Sequence, residues 1–242
     1  MSVPWPHSTH AKHWTYGCVE QLVLLRCLAR ERATETLDEA VKQQQSDGAS
    51  TAAGTAMHLK PLPNEDEALL CAHWEAKMQA VCRSENACDA SRFTDRTLAA
   101  AQLYFKRFFL VISPMQESML GVMLTALYLA GKVEEEHIEI DRLVVLSGQK
   151  MTARELLALE MRMLEVLRFE LLTRSPFRCL GGLLQDLHGS LAAAPGGSAV
   201  ALAGLEELRG ATTALVKKAL CADTPLLFSP LQVHADGGCE PE

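Results

Sequence analysis

The run from Met119 to Gly131 contains no charged side chain and is bounded by Glu117 and Lys132. A helix needs roughly 20 apolar residues to span a bilayer, so this run is too short for that role. At helical period its apolar side chains point in nearly every direction, which suits only a helix enclosed by other parts of the same chain. The remaining sequence must therefore build a shell around it. Leu, Ala and Met are plentiful and aromatic residues make up only 5%. These are strong helix formers, so the shell is expected to be helical too. With 242 residues and 48% hydrophobic content, the chain has material for a substantial core.

The shell can be read from apolar periodicity. In residues 1–42, Leu22, Leu25, Ala29, Arg32 or Ala33, Leu37 and Val41 recur every three to four positions. They form one stripe of an amphipathic helix starting near His13. Residues 43–62 are rich in Ser, Gly, Thr and Ala without periodicity, and read as a flexible linker. Residues 63–173 hold five helices. The first, Glu65 to Arg83, carries Leu69, Leu70, Trp74, Met78 and Val81 or Cys82. The second, Thr94 to Val111, carries Leu98, Leu103, Phe105, Phe108 and Phe109. The enclosed helix is third, starting near Ser113–Pro114 or at Ser118. A short fourth runs from Ile138 to Leu146. The fifth opens with Thr152-Ala-Arg-Glu155, a capping box, and carries Leu156, Leu159, Met163, Leu164 and Leu167.

Residues 174–242 begin a second helical unit. Ser175-Pro176 starts one helix, Ala194-Pro-Gly-Gly-Ser198 breaks it, and another runs to about Cys221. Ser229-Pro230-Leu231-Gln232 has the form of a further helix start, followed by Asp236-Gly237-Gly238. The second unit is expected to be incomplete and to leave apolar faces uncovered.

Several function classes find no support. The formal net charge is −7, unlike a nucleic-acid binder that relies on Lys and Arg at phosphates. The eight cysteines (18, 27, 71, 82, 88, 179, 221 and 239) form no CxxC pair and read as reduced packing thiols. The acidic stretch Glu134 to Asp141 fits no zinc or calcium loop and reads as a solvated turn. Lys106-Arg107 reads as structural charge, and Trp14 and Trp74 as packing residues. No phosphate loop, dinucleotide fingerprint, metalloprotease helix or nucleophile elbow occurs. No catalytic residue, cofactor or metal is expected.

Three stretches together carry a family resemblance. Leu103-Tyr-Phe-Lys-Arg-Phe-Phe109, Leu127-Tyr-Leu-Ala-Gly-Lys-Val-Glu-Glu135 and Leu159-Glu-Met-Arg-Met-Leu-Glu-Val-Leu-Arg-Phe-Glu-Leu171 resemble the first box of the cyclins. Tyr104-Phe-Lys-Arg-Phe108, with Ser175-Pro-Phe-Arg178, is most similar to the transcription-linked members. Lys12-His-Trp-Thr-Tyr16 followed by Glu20-Gln-Leu22, and Asp223-Thr-Pro-Leu-Leu-Phe-Ser-Pro-Leu-Gln-Val233, resemble the cyclin H type.

The resemblance implies an all-α cyclin fold with one complete five-helix box, a partial second box and an N-terminal helix. It implies a nuclear regulatory subunit that binds and activates a cyclin-dependent kinase. The setting would be the CDK-activating kinase and general transcription factor IIH, with an assembly factor as a further partner, in transcription by RNA polymerase II and cell-cycle control. In cyclins the kinase rests on the third and fifth helices of the first box, where a Lys and a Glu hold the segment leading into its αC helix. The matching positions are Lys132 and Glu160, with apolar contacts from Leu129, Val133, Leu164, Phe169 and Leu171. From spacing alone Lys132 is more often a cation at a helix C-terminus, Glu160 a solvated face residue, and the Leu and Phe side chains core, with Phe169 and Leu171, past the helix end, the ones expected to be exposed. Alternatives are another transcription cyclin of C, K or L type, or a cyclin-fold factor resembling transcription factor IIB. The last predicts a basic face, whereas residues 64–172 hold 12 Lys or Arg against 17 Asp or Glu.

Overall fold

The computed structural model describes residues 9–46, 61–83, 93–193, 199–230 and 232. Every regular element among them is a helix. The N-terminal part holds α1 (Thr9–Trp14) and α2 (Val19–Ser46). Five helices follow: α3 (Asn64–Arg83), α4 (Asp95–Val111), α5 (Met119–Val133), α6 (Ile140–Leu146) and α7 (Ala153–Val166). The second unit contains α8 (Pro176–Ala193), α9 (Ala199–Leu220) and the single turn α10 (Thr224–Leu227). The architecture is all-α, a five-helix unit followed by part of a second, as the resemblance implies. The helix read from Met119 is enclosed as expected, but it shares the centre with α4. Both are buried along almost their whole length, with α2, α3 and α7 packed around them.

Local chemistry fixes the helix starts. Thr94 caps α4 by accepting from the Thr97 N–H. Of the two possible starts of α5, Ser118 is the cap, accepting from the Gly121 N–H. Ser113 instead makes a turn, accepting from the Met115 N–H while donating to the buried Glu67 carboxylate at 2.9 Å. At α7 the capping box forms in full: Thr152 Oγ1 accepts from the Glu155 N–H, and Glu155 accepts from the Thr152 N–H at 2.7 Å.

Near the N-terminus the structure departs from a single helix. Trp14 is buried against Tyr104 with ring centroids 5.6 Å apart, and the Arg107 guanidinium lies 4.8 Å from the centre of its ring. The chain must turn after it to lay α2 across α4, and Gly17 donates its N–H to Gln21 in that turn. Leu22, Ala29 and Ala33 are the buried stripe of α2, while Arg32 faces solvent. The helix continues through Ser46, into the stretch read as linker; residues 47–60 lie outside the described residues, as does the break at Ala194–Ser198.

The N-terminal segment also reaches the second unit. Arg26 donates to both carboxylate oxygens of Asp223, at 2.8 and 2.6 Å, and Tyr16 donates its N–H to the Leu226 carbonyl at 2.7 Å. The Arg174 N–H donates to Nδ1 of the buried His10 at 3.2 Å. In the second unit α8 and α9 pair through Leu180, Leu184 and Leu205, and Val216 and Leu220 rest on Ala99 of α4. Leu183, Leu187, Leu208 and Leu215 remain exposed. Gln232 accepts from the Ser229 N–H, one half of the cap read from the sequence.

His10 gives this junction a pH dependence. Burial, reinforced by the Arg174 cation, pulls its pKa down to about 4. Folding therefore favours the neutral ring. The stabilisation is complete above the unfolded value near 6.5 and is lost as pH falls from there toward 4. The stability gap between wild type and His10→Gln should shrink by about 3 kcal/mol across that window. Urea titrations at pH 7.5 and 4 measure it, and comparison of the two proteins cancels carboxylates common to both. A gap independent of pH would refute the assignment.

Candidate functional site

Helices α5, α6 and α7 end in the same way, and those endings set the surface. After α5 the N–H of Glu136 bonds the Gly131 carbonyl at 2.8 Å and that of Glu135 bonds Lys132, with Glu135 at φ 60°. After α6 the same pair of bonds turns on Gly148, at φ 66°. After α7 Phe169 bonds the Leu164 carbonyl at 2.9 Å and Arg168 bonds Glu165 at 3.0 Å. This is the Schellman closure, which prefers glycine at its left-handed position. At α7 two non-glycine residues, Arg168 and Phe169, are both left-handed, with φ 55° and 58°. Each carries a cost of roughly 1–2 kcal/mol against the ordinary backbone. The double turn leaves Phe169 64% exposed and sends the chain back so that Leu171 packs on the core. The Tyr104 hydroxyl fastens it there by donating to the Leu171 carbonyl at 2.7 Å.

Lys132 leaves the last turn of α5 beside this corner. Its ammonium donates to both oxygens of Glu160 on α7, at 2.7 and 3.0 Å, and sits 4.1 Å from the centre of the Tyr128 ring. The pair is unequal in exposure: the Lys132 side chain is 46% exposed and the Glu160 side chain 10%. Burial works against the Lys132 cation, but the hydrogen bonds and charge of Glu160, with Tyr128 alongside, outweigh it and raise its pKa. A fixed cation thus stands at the rim with its counter-ion set behind it.

Of the sequence-derived contacts, Lys132 and Phe169 are exposed, and Val133, Leu164 and Leu171 are half-buried. Leu129 is 3% exposed and lies in the core. The structure adds apolar side chains that were not selected: Leu172, Leu157 and Met161 are exposed, as are Val145 and Leu146 on α6. For two of them the signal was present, since Leu157 and Met161 lie four residues apart on the flank of α7 beside its buried stripe. Lys106 and Arg107 stand apart from this surface. Lys106 pairs with Glu75 inside the protein at 2.6 Å, both side chains under 5% exposed, and Arg107 donates to the His13 carbonyl.

Gly131 sets the approach of the turn that follows Lys132. A Cβ there would collide with the Ile138 side chain, Cγ1 at 2.9 Å among its atoms, and would meet the Glu136 carbonyl at 3.4 Å. Gly131→Ala should destabilise the fold by about 1–3 kcal/mol as Ile138 is forced aside. Chemical denaturation measures this directly, and an unchanged midpoint would show that the turn yields freely.

The Cyclin, N-terminal domain family matches residues 83–172, the stretch from the end of α3 past α7. Cyclin-H1-1 of Arabidopsis thaliana is 35% identical over 175 residues, covering 72% of this chain and 48% of the relative. Cyclin-H of Xenopus laevis is 26% identical over 229 residues, covering 93% of this chain and 64% of the relative. The chain thus spans about half to two thirds of the length of these relatives. Among solved structures, a chain of the yeast TFIIK complex (Kin28/Ccl1/Tfb3) superposes with a TM-score of 0.68 at 23% identity, covering 96% of this chain and 83% of that one. A chain of the CAK complex of Chaetomium thermophilum gives a TM-score of 0.71 at 22% identity, covering 97% and 68%. Fold, box and sequence relatives agree: the chain belongs to the cyclin family and, within it, is cyclin H-like.

Proposed function

We propose that this chain is the regulatory subunit of a cyclin-dependent kinase, of the kind found in the CDK-activating kinase and the kinase module of transcription factor IIH. It binds the kinase through the α5–α7 corner, acts in the nucleus in transcription and cell-cycle control, and catalyses nothing itself. The observation that carries the reading is the Lys132–Glu160 pair, with its cation at the rim and exposed Phe169 and Leu172 nearby. A fixed charge pair sets the register of a partner, while apolar neighbours supply burial energy. The relatives supply the class of partner: the similar yeast complex contains Kin28 and Tfb3 beside Ccl1. Val133, Leu164 and Leu171 complete the contact, and Leu129 supports it from beneath. Activation follows if the bound surface favours the αC-in form of the kinase, in which the kinase's own Lys–Glu pair is assembled. An assembly factor joins as a third component.

The test is to titrate the purified chain into a CDK-activating kinase catalytic subunit, following complex formation by calorimetry and phosphorylation of a kinase substrate. Saturable binding with a rise in turnover is expected. Absence of binding overturns the proposal.

A further inference from the structure

A groove of about 500 Å³ runs between the end of α3 and the C-terminal half of α9. Among the described residues three cations line it, Arg83, Lys217 and Lys218, and no acidic side chain does. In a chain of net charge −7 this is a local reversal of sign. Helix C-termini favour a cation each, which accounts for one on α3 and one on α9, but not for three together. Asp95 at the start of α4 holds Lys217 at 2.7 Å. Lys218 is exposed, and its side chain has no ion-pair or hydrogen-bond partner among the described residues.

The Arg83 guanidinium is held by Gln79. Its Nε donates to the Gln79 carbonyl at 3.3 Å and its Nη2 to the Gln79 Oε1 at 3.0 Å. Gln79 is itself 4% exposed, and its amide nitrogen donates to the Lys217 carbonyl at 2.6 Å. A buried amide thereby joins the two walls and fixes the fork. Three of the five guanidinium N–H groups are left for a ligand. A fork with free N–H groups beside ammonium groups matches an anion with several acceptor oxygens and more than one charge.

We propose that this groove binds a phosphorylated serine or threonine side chain of a polypeptide. The phosphate sits between Arg83 and Lys218, with Lys217 and the half-buried Thr213 at its edge. The polypeptide source follows from the shape. The groove is much larger than a phosphate group, and a Cβ built on Gly210 would meet nothing within 4 Å, so a main chain has room to lie along it. The site is made by α3 and α9 and does not depend on the proposed role of the α5–α7 corner.

The experiment is fluorescence anisotropy of the full chain with fluorescein-labelled Gly-Ala-phosphothreonine-Ala-Gly, its unphosphorylated twin, and inorganic phosphate as competitor. The phosphopeptide should bind at least about tenfold more tightly than the twin, the discrimination expected of charge-assisted hydrogen bonds. Arg83→Gln and Lys218→Gln should each weaken it about tenfold, Arg83→Lys should also weaken it by losing the fork, and Lys150→Gln, at an exposed lysine elsewhere, should leave it unchanged. Circular dichroism confirms that each variant is folded. Equal binding of the twin, or full binding by the Arg83 and Lys218 variants, overturns the proposal. Inorganic phosphate binding as tightly as the peptide would overturn the polypeptide source and assign the groove to a free anion.

Discussion

Replacing Lys106 by methionine should lower the unfolding free energy by about 3–5 kcal/mol. The reason is what the change leaves behind. Glu75 faces Lys106 at 2.6 Å and both side chains are almost fully buried. Burial already pushes the Glu75 carboxyl up, and Lys106 is the main influence that pulls it back. Without the lysine a carboxylate stands uncompensated inside the protein. A cavity of about 330 Å³ that both residues line offers partial hydration and draws the loss toward the lower end of the range. The double variant Glu75→Leu with Lys106→Met removes both charges and should recover most of the stability, since replacing a buried pair by apolar groups is often neutral. The single variant should also respond to pH. A carboxyl whose folded pKa lies above its unfolded value takes up a proton on folding, so its penalty is full at high pH. That penalty shrinks as pH falls through the raised value toward 4.5. Thermal melts at pH 8 and 5 would show this, and a single variant as stable as the double would disprove the coupling.

Reversing one charge of the Lys132–Glu160 pair should weaken kinase binding by about a hundredfold or more, within the 2–5 kcal/mol typical of a buried interfacial charge. Lys132→Glu and Glu160→Lys each break the intrachain pair as well, so neither alone separates docking from folding. The double exchange does. It restores opposite charges between α5 and α7, so stability should return to within about 1 kcal/mol of wild type. A partner meets the opposite sign at the rim, so binding should stay weak. Calorimetry against the kinase and urea unfolding of the chain read the two effects independently. Recovery of binding in the double exchange would mean that the pair serves only to join the two helices.

The helices of the first box were legible because periodicity and capping chemistry agree in them. The capping box at Thr152 and Glu155 placed the start of α7, and Ser118 was one of two starts offered for α5. Partner-dependent features were not legible. Lys106 reads as a structural charge at a helix end, and nothing local reveals that α4 is enclosed on that side or that Glu75, 31 positions earlier, waits opposite it. Leu69 belongs to the apolar stripe read for α3, yet it is 68% exposed. Periodicity identifies a helical face but not how far its neighbours extend along it. The break after Trp14 carries only Gly17 as a signal, and its cause is tertiary: the indole has to reach Tyr104. At the candidate site the resemblance supplied Lys132 and Glu160, and periodicity gave no reason to prefer them. The exposure of Phe169 follows from its place past the end of α7, as expected, whereas Leu171 folds back to half-burial; the two successive left-handed residues that separate their fates are a backbone choice that side-chain pattern does not record.

The bond between Arg26 and Asp223 joins residues 197 positions apart. During synthesis the first box can condense from contacts among neighbouring helices, but α2 cannot be secured at that end until residues 223–226 have left the ribosome. At roughly 5–20 residues per second, the interval between emergence of Arg26 and of Asp223 is about 10–40 s. Throughout it the N-terminal segment lacks its bonds to residues 223–226. Closing a loop of that length is intrinsically slow. The junction between the N-terminal segment and the second unit is therefore among the last contacts that the growing polypeptide can complete.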